Sequence, residues 1–499
     1  MGAAESHPVY VSPATMGNLM IRNLSITPLE LVEAERITHP APPAAPQPFS
    51  NITARITGRQ PGPPSPAPTE PPAQHDQPIT NKEAIPITPI QPFSESAVPI
   101  DPPDTSASEQ LRLTFSEPGT DRRYTLTFPG ATPQSLVMTP SPPSGDGDDK
   151  EFTAIFLPRS CYLTLLSSAH LSTWMAALPS SLPLSSLSIP GTHNSPTYRV
   201  ALPSVRCQAV SVPLQLAGGV RFLDVRVSCP GDSSSTDLAL VHAAFPVALA
   251  GTKYLHDLLA SVHAFLAANP SETVLLSLKR EGIGKGTDQQ LSQILARRYL
   301  TEPSPERWFA EPRIPTLGEA RGKIVLVRRF LLDEGVAAER GGGLGIDGSV
   351  WPDNCEDGMC GGGLIRIQDY YDVAAPDHID KKIGFARGQL ERAAQRDAVP
   401  KGMPGAGGPE SGPVPLFINF LSASSFFNAQ CWPDRIAAKI NPSIIEYLCT
   451  AHGPGQGPGE ITVGDAGTGI VVMDWVGRDG DWDLCRCIVG WNARLQLQR

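Results

Sequence analysis

Two histidines stand out as groups able to pass a proton in both directions. His193 lies in Ile189-Pro-Gly-Thr-His193-Asn194-Ser195, and His242 closes the apolar run Leu238 to Val241. Imidazoles titrate near neutral pH, so one can accept a proton while another donates. Each of these two directly follows a strand-like run. Other runs end in charge: Phe222-Leu-Asp224-Val-Arg226, then Lys279, then Arg328-Arg329, then Asp369-Tyr-Tyr371, and finally Asp474. Guanidinium and ammonium groups hold non-bridging phosphate oxygens and offset charge that grows during transfer. Carboxylates orient an imidazole or grip sugar hydroxyls. Two His, three cations and three Asp on one rim suit a phosphodiester.

Each group also has a plainer reading. Alone, His193 is a loop histidine in a Pro-Gly-Thr bend, and His242 a half-buried strand end. Asp224 and Arg226 face the same side of a strand and could be a structural ion pair. Lys279-Arg280-Glu281 reads as a solvated strand exit. Asp474 could cap the loop that follows it. His256 and His263 lie on a run with helical apolar spacing and belong to a helix surface or core.

The elements that must position these groups come in two blocks. From about residue 167, strand-like runs alternate with helical ones, as in parallel βα units. The expected strands are Leu184 to Ile189, Val220 to Val227, Leu238 to Val241, Thr273 to Leu278, Lys323 to Val327, Leu364 to Gln368, Leu416 to Phe420 and Gly469 to Met473. Helical runs include Tyr254 to Ala268, Gln289 to Tyr299 and Arg435 to Leu448. Eight strands in this length predict an α/β fold, a TIM-like barrel with irregular connections and an active site at the carboxyl ends of its strands. Of Arg328 and Arg329, strand alternation favours Arg329 as the residue facing the site.

Residues 1–166 read differently. Six short alternating runs, among them Leu19 to Leu24, Leu29 to Ile37 and Tyr162 to Leu166, predict a small antiparallel β-domain. Nineteen of the 53 prolines lie between Pro40 and Pro103, so about 40–108 is expected to be a disordered linker or insertion within it. A net charge of -10 gives no general pull toward nucleic acid or an anionic membrane, so an anionic ligand needs a local cluster of cations. The nine cysteines include no zinc-type spacing. Cys355 and Cys360 could pair in an oxidising compartment; free thiols are the plainer reading. No apolar run is long enough to span a bilayer, and no secretory signal is visible. The start, Met1-Gly2-Ala3-Ala4-Glu5-Ser6, fits a weak N-myristoylation pattern at Gly2. A cytoplasmic location with peripheral membrane contact is expected.

Four segments together carry a resemblance: Ser188 to Ser195, Gly219-Val-Arg-Phe-Leu-Asp-Val-Arg226, Leu240-Val-His242 and Glu272-Thr-Val-Leu-Leu-Ser-Leu-Lys279. In this order and spacing they resemble the X-region of phosphatidylinositol-specific phospholipases C. The bacterial-type, metal-independent branch is the nearer match, and the chain is similar to its fungal members. The resemblance implies an inositol phospholipid at a membrane surface as substrate, with diacylglycerol and inositol 1,2-cyclic phosphate as products. His193 would take the proton of the inositol 2-hydroxyl, and His242 would protonate the leaving oxygen. Asp474 would orient His193, and Arg226 would stabilise the phosphate. Lys279, Arg329, Asp369 and Tyr371 match positions that line the inositol pocket.

The chain departs from that branch at Asn194, where the bacterial enzymes have Asp and the metal-dependent ones use Asn as a calcium ligand. Against calcium, Arg226 and Lys279 occupy two positions where the metal-dependent branch keeps acidic ligands. No metal is therefore expected. Two other functions fit less well. A glycerophosphodiesterase needs more metal-binding carboxylates than this rim supplies. A catalytically weak inositol-lipid-binding protein is kept in view by Asn194.

Overall fold

A computed structural model describes residues 18–38, 79–104, 109–129, 135–141, 151–168, 170–231, 235–301, 305–396, 414–453 and 467–497. Gly2 and most of the Pro-rich stretch lie outside them.

The C-terminal block is an α/β fold, a distorted, curled barrel sheet flanked by helices. Its parallel strands run, neighbour to neighbour, Ile324–Arg329, Val274–Arg280, Phe222–Ser228, Ile189–Thr192, Ile470–Met473, Leu416–Phe420 and Ile365–Gln368. These strands bury Val, Ile, Leu and Phe on both faces, as parallel strands covered by helices must. One face packs with the helices Leu255–Ala268, His378–Ala394 and Pro433–Thr450. The other fills the barrel interior with Ile189, Phe222, Leu275, Val327, Ile418 and Val472.

Two expected strands need correction. Leu184–Ser186 is a single 3-10 turn, and the first barrel strand begins at Ile189. Pro183 and the Ser pair favour that turn, and Pro190 is tolerated because its nitrogen faces the strand Phe222–Ser228, with which pairing begins only at Gly191. The expected third strand is present as Ala239–His242, but it pairs antiparallel with the outer end of the strand Phe222–Ser228. A connection of only about ten residues is too short for a βαβ crossover, so the chain folds back as a hairpin. His242 therefore reaches the rim on a flap of the second strand.

Two residues of the recognised segments serve the core. Arg221 and Glu272 are both fully buried, with Arg221 Nε 2.9 Å from Glu272 Oε2. Arg221 also donates to the carbonyls of Leu216, Val220, Leu171 and Ser172. Glu272 in turn accepts from the Met175 amide. This satisfies both buried charges and ties the barrel floor to the 3-10 segment Leu171–Ala177.

The N-terminal strands form a five-stranded and a six-stranded sheet around one core of Leu19, Leu29, Leu111, Phe115, Phe128, Phe152 and Leu163. Pairing is antiparallel except between Leu19–Asn23 and Tyr162–Leu166, which run parallel. The expected disordered stretch at about 40–108 is corrected in part: Ile79–Glu83, Thr88–Ile90 and Ser94–Val98 are strands inside it. Prolines at 86, 89, 92 and 99 fall at strand ends or on short strands, where the missing amide costs no central ladder bond. This block leans on the barrel. Arg22, itself buried, donates to the carbonyls of Cys449 and His452 at the end of the helix Pro433–Thr450, and Leu166 packs against Gly490.

Candidate active site

The strand Ile189–Thr192 must lie close to its neighbour: a Cβ on Gly191 would come within 3.0 Å of the Phe222 side chain. His193 follows immediately, its amide bonded to the Met473 carbonyl at 3.0 Å. Gln208 Nε2 clamps the same corner, donating to the carbonyls of His193 (2.7 Å) and Met473 (2.9 Å). The bend continues through Asn194, whose φ of 42° is in the left-handed region that Asn tolerates better than most residues.

These restraints place His193 Nδ1 3.0 Å from Asp474 Oδ1. A carboxylate there holds the ring proton on Nδ1 and leaves Nε2 as the acceptor. The His242 ring is held through Nδ1, 2.8 Å from the Val205 carbonyl oxygen. The two ring centroids are 5.6 Å apart and nearly perpendicular. That spacing lets one phosphate group contact both.

The cations are fixed by carboxylates. Arg226 donates from Nε and Nη2 to Asp224 Oδ2 (3.2 and 3.1 Å) and from Nη1 to Glu281 Oε1 (3.0 Å). Lys279 Nζ is 2.7 Å from that same Glu281 oxygen. Arg329 lies under the cleft, 3.4 Å from Asp224 Oδ1 and 3.8 Å above the Trp351 ring. Arg328 faces the other way, toward Asp347 and the Leu344 carbonyl. Trp351 Nε1 donates to Asp369 Oδ2 at 3.0 Å, and the Tyr371 hydroxyl to Asp353 Oδ1 at 2.7 Å.

The result is a cleft of about 450 Å³ lined by His193, Arg226, His242, Lys279, Arg329, Asp369 and Tyr371 among others. Asp224, Asn194 and Asp474 are not among its lining residues; all three are buried. Asp224 accepts from the Asn194 amide at 3.2 Å. The Asn194 carboxamide, fully buried, has no hydrogen-bond partner on either polar atom.

Sequence reasoning missed three contributors. Glu281 is the main one, and its signal was available: on an extended chain Lys279 and Glu281 share a face. Trp351 and Asp353 sit on a loop with no periodic pattern, so nothing in the sequence pointed to them.

Burial, and then the neighbouring Arg226, push His193 well below its ordinary value and bring His242 down to about 4. Both rings are therefore neutral at neutral pH before a phosphate binds. Burial pushes the Asp474 carboxyl up. Burial alone would do the same to Glu281, but Arg226 and Lys279 hold it down to about 2. Burial also opposes the charge of Arg226; Asp224 and Glu281 more than offset it and raise its pKa. This is a preorganised cation held between fixed anions.

Residues 180–330 match the family model for the phosphatidylinositol-specific phospholipase C X domain. That segment is what the chain shares with the X-domain family. All four recognised segments lie inside that match, whereas Asp369, Tyr371 and Asp474 lie beyond it. The 1-phosphatidylinositol phosphodiesterase of Staphylococcus aureus (strain Newman) is 27% identical over 318 residues, covering 61% of this chain and 88% of that one. Human PI-PLC X domain-containing protein 1 is 28% identical over 188 residues, 31% of this chain and 55% of that one. Among solved structures, a double mutant of the S. aureus phosphatidylinositol-specific phospholipase C has a TM-score of 0.50 at 24% identity, over 65% of this chain and 97% of that one. That likeness concerns the fold alone.

Proposed function

We propose that this X-domain protein is a phosphoric diester hydrolase of the lyase type, cleaving phosphatidylinositol to diacylglycerol and inositol 1,2-cyclic phosphate. The observation that carries the reading is the pair of imidazoles, ring centroids 5.6 Å apart, flanking one cleft beside the Arg226 guanidinium. His193 Nε2 takes the proton of the inositol 2-hydroxyl as that oxygen bonds to phosphorus. The bond from phosphorus to the glycerol oxygen breaks, and a protonated His242 gives that oxygen its proton. The phosphate anion itself raises the His242 pKa by offsetting Arg226. Asp474 stabilises the imidazolium that forms on His193. Arg226 holds the non-bridging oxygens. Lys279, Arg329 and Asp369 offer donors and an acceptor to the inositol hydroxyls, and Tyr371 a ring face.

We place no metal in this reaction. Calcium calls for several oxygen ligands, carboxylates among them. Asp224 and Glu281 already spend their oxygens on Arg226, Lys279 and Arg329. The residues present do not fit a divalent oxygen-ligated ion.

The substrate is a lipid, and the loops that follow the barrel strands suit a membrane surface. They expose Val200, Leu249, Ile283, Val350 and Phe426, with Phe427 at 95% exposure. Phe426 stacks on Phe245 at 5.6 Å, so the apolar rim is braced. No helix among the described residues is long and apolar enough to cross a membrane. Peripheral contact from the cytosol is the corresponding location, and nine free thiols suit that reducing compartment.

Phosphorus NMR of a phosphatidylinositol digest tests the reading. Wild type should form the cyclic phosphate with or without chelator, and His193→Ala and His242→Ala should not. Vesicle binding with no cyclic phosphate would instead favour a lipid-binding role. The buried, unpartnered Asn194 carboxamide keeps that alternative open.

A further inference from the structure

Behind the cleft wall, against His242, lies a third group that the proton chemistry above does not use. Cys207 is buried beside His242, its Sγ 3.7 Å from His242 Nδ1. One ligand atom each from His193, Cys207 and His242 lies within 4.8 Å of the other two. We propose that these three residues form a site for a thiophilic divalent cation of the zinc class, whose occupation switches the phosphodiesterase off. This deepens the function proposed above and rests on it for its consequence, though not for the binding itself.

Two imidazole nitrogens and one sulfur are a borderline-soft donor set. It suits zinc, cadmium or cobalt, and not calcium or magnesium, which take oxygen ligands. Three protein ligands with a fourth position open to the cleft are the usual form of an accessible zinc site. His193 has the kind of outer contact that metal-binding histidines have, the Asp474 carboxylate on Nδ1, which fixes ring orientation and raises donor strength. His242 Nδ1, the nitrogen beside Sγ, exchanges its bond to the Val205 carbonyl for the ion.

The backbone at Cys207 is held from both sides: its amide donates to Thr197, and its carbonyl accepts from Trp475. In a tetrahedral zinc site the ligand atoms are about 3.3–3.8 Å apart, so the three must close by about 1 Å around the ion. Side-chain rotation of the imidazoles into the cleft supplies movement of that size.

The charges facing the site are mixed. Arg226 repels a cation, yet Asp224 and Glu281 bind Arg226 directly, and Asp474 stands behind His193. Binding is balanced by one proton: the sulfur–metal bond forms, the thiol proton leaves to solvent, and no electrons are transferred. A bound ion takes up the lone pairs of both imidazoles, so neither can accept the 2-hydroxyl proton or carry one to the leaving group.

The test uses the full chain, freed of metal by dialysis against chelator. Zinc chloride is titrated against turnover of phosphatidylinositol vesicles for wild type, Cys207→Ala and Cys207→Ser. In parallel, cobalt(II) is added without lipid and the near-ultraviolet thiolate-to-cobalt absorption is followed. Wild type should be inhibited, while both variants keep their metal-free activity and need about tenfold more zinc or beyond for half inhibition. Calcium at equal concentration should not inhibit. The cobalt–thiolate band should appear in wild type and be lost in both variants. Equal zinc sensitivity in all three proteins, or a band that survives removal of Cys207, overturns the proposal. If metal-free wild type makes no cyclic phosphate, the enzymatic reading falls, and the cobalt band alone decides the site.

Discussion

Glu281 accepts a hydrogen bond from the Ala243 amide, 2.9 Å away, and so ties the strand that carries the cations to the turn just past His242. Ala243 has a φ of 50°, and the carboxylate helps hold that bend. Glu281 thus fixes Arg226, Lys279 and the His242 flap together. Glu281→Gln should lower kcat by about tenfold to a hundredfold, the cost of loosening a preorganised cation. KM should rise less, because Asp224 still holds Arg226. Steady-state kinetics on phosphatidylinositol vesicles check this; unchanged kcat would reduce Glu281 to a bystander.

Asp474→Asn keeps the shape behind His193 but removes the negative charge and can turn an amide N–H toward Nδ1, which favours the wrong tautomer. The expected loss is on the order of 10²- to 10⁴-fold in kcat, with KM nearly constant. A loss confined to KM would show that Asp474 does not act through the ring.

The two neutral imidazoles predict a pH effect on stability. The folded protein holds His242 at about 4, while the unfolded chain binds that proton near 6.5. Between these values the unfolded state carries more protons, so stability is complete above about pH 6.5 and falls as pH drops toward 4. The His242 share is about 2 kcal/mol after allowing for the ring face open to the cleft. Denaturation of wild type and His242→Gln at pH 7 and 4.5 measures it. The variant should lose less stability on acidification, and equal losses would contradict the burial argument.

The rim predicts a separation of binding from chemistry. Phe426→Ser with Phe427→Ser should weaken partition onto phosphatidylinositol vesicles by about tenfold or more. Opening of soluble inositol 1,2-cyclic phosphate should be unaffected. Sedimentation with vesicles and the soluble assay give the two readouts; a parallel fall in both would place these rings in the active site.

Glu272→Ala leaves the buried Arg221 without its carboxylate. Stability should fall by about 3–5 kcal/mol, the usual cost of stranding one member of a buried pair. Urea denaturation measures it, and a change below about 1 kcal/mol would mean the carbonyls around Arg221 are enough.

Much of this arrangement was legible from the chain because charge at the end of an apolar run marks the rim of a parallel barrel. His193, Arg226, Lys279, Arg329 and Asp474 all follow that rule, and the parallel strands other than the first fall within a few residues of their expected places. The strand bearing His242 was misplaced because a four-residue apolar run carries no sign of parallel or antiparallel pairing; the short connection before it decided that. Glu281 was overlooked because a charged strand exit looks solvated until the partners across the cleft are known. The strands at 79–98 were hidden by proline, which weakens strand signals without forbidding short strands at a sheet edge.

The buried Arg22 gives the first 166 residues a consequence for how the chain can be cut. A protein starting at residue 167 would lose the Arg22 guanidinium that donates to the carbonyls of Cys449 and His452, and would bare the flank where Leu166 meets Gly490. The barrel therefore shares a packed flank with the small sheets that precede it, and a cut at that point exposes apolar surface.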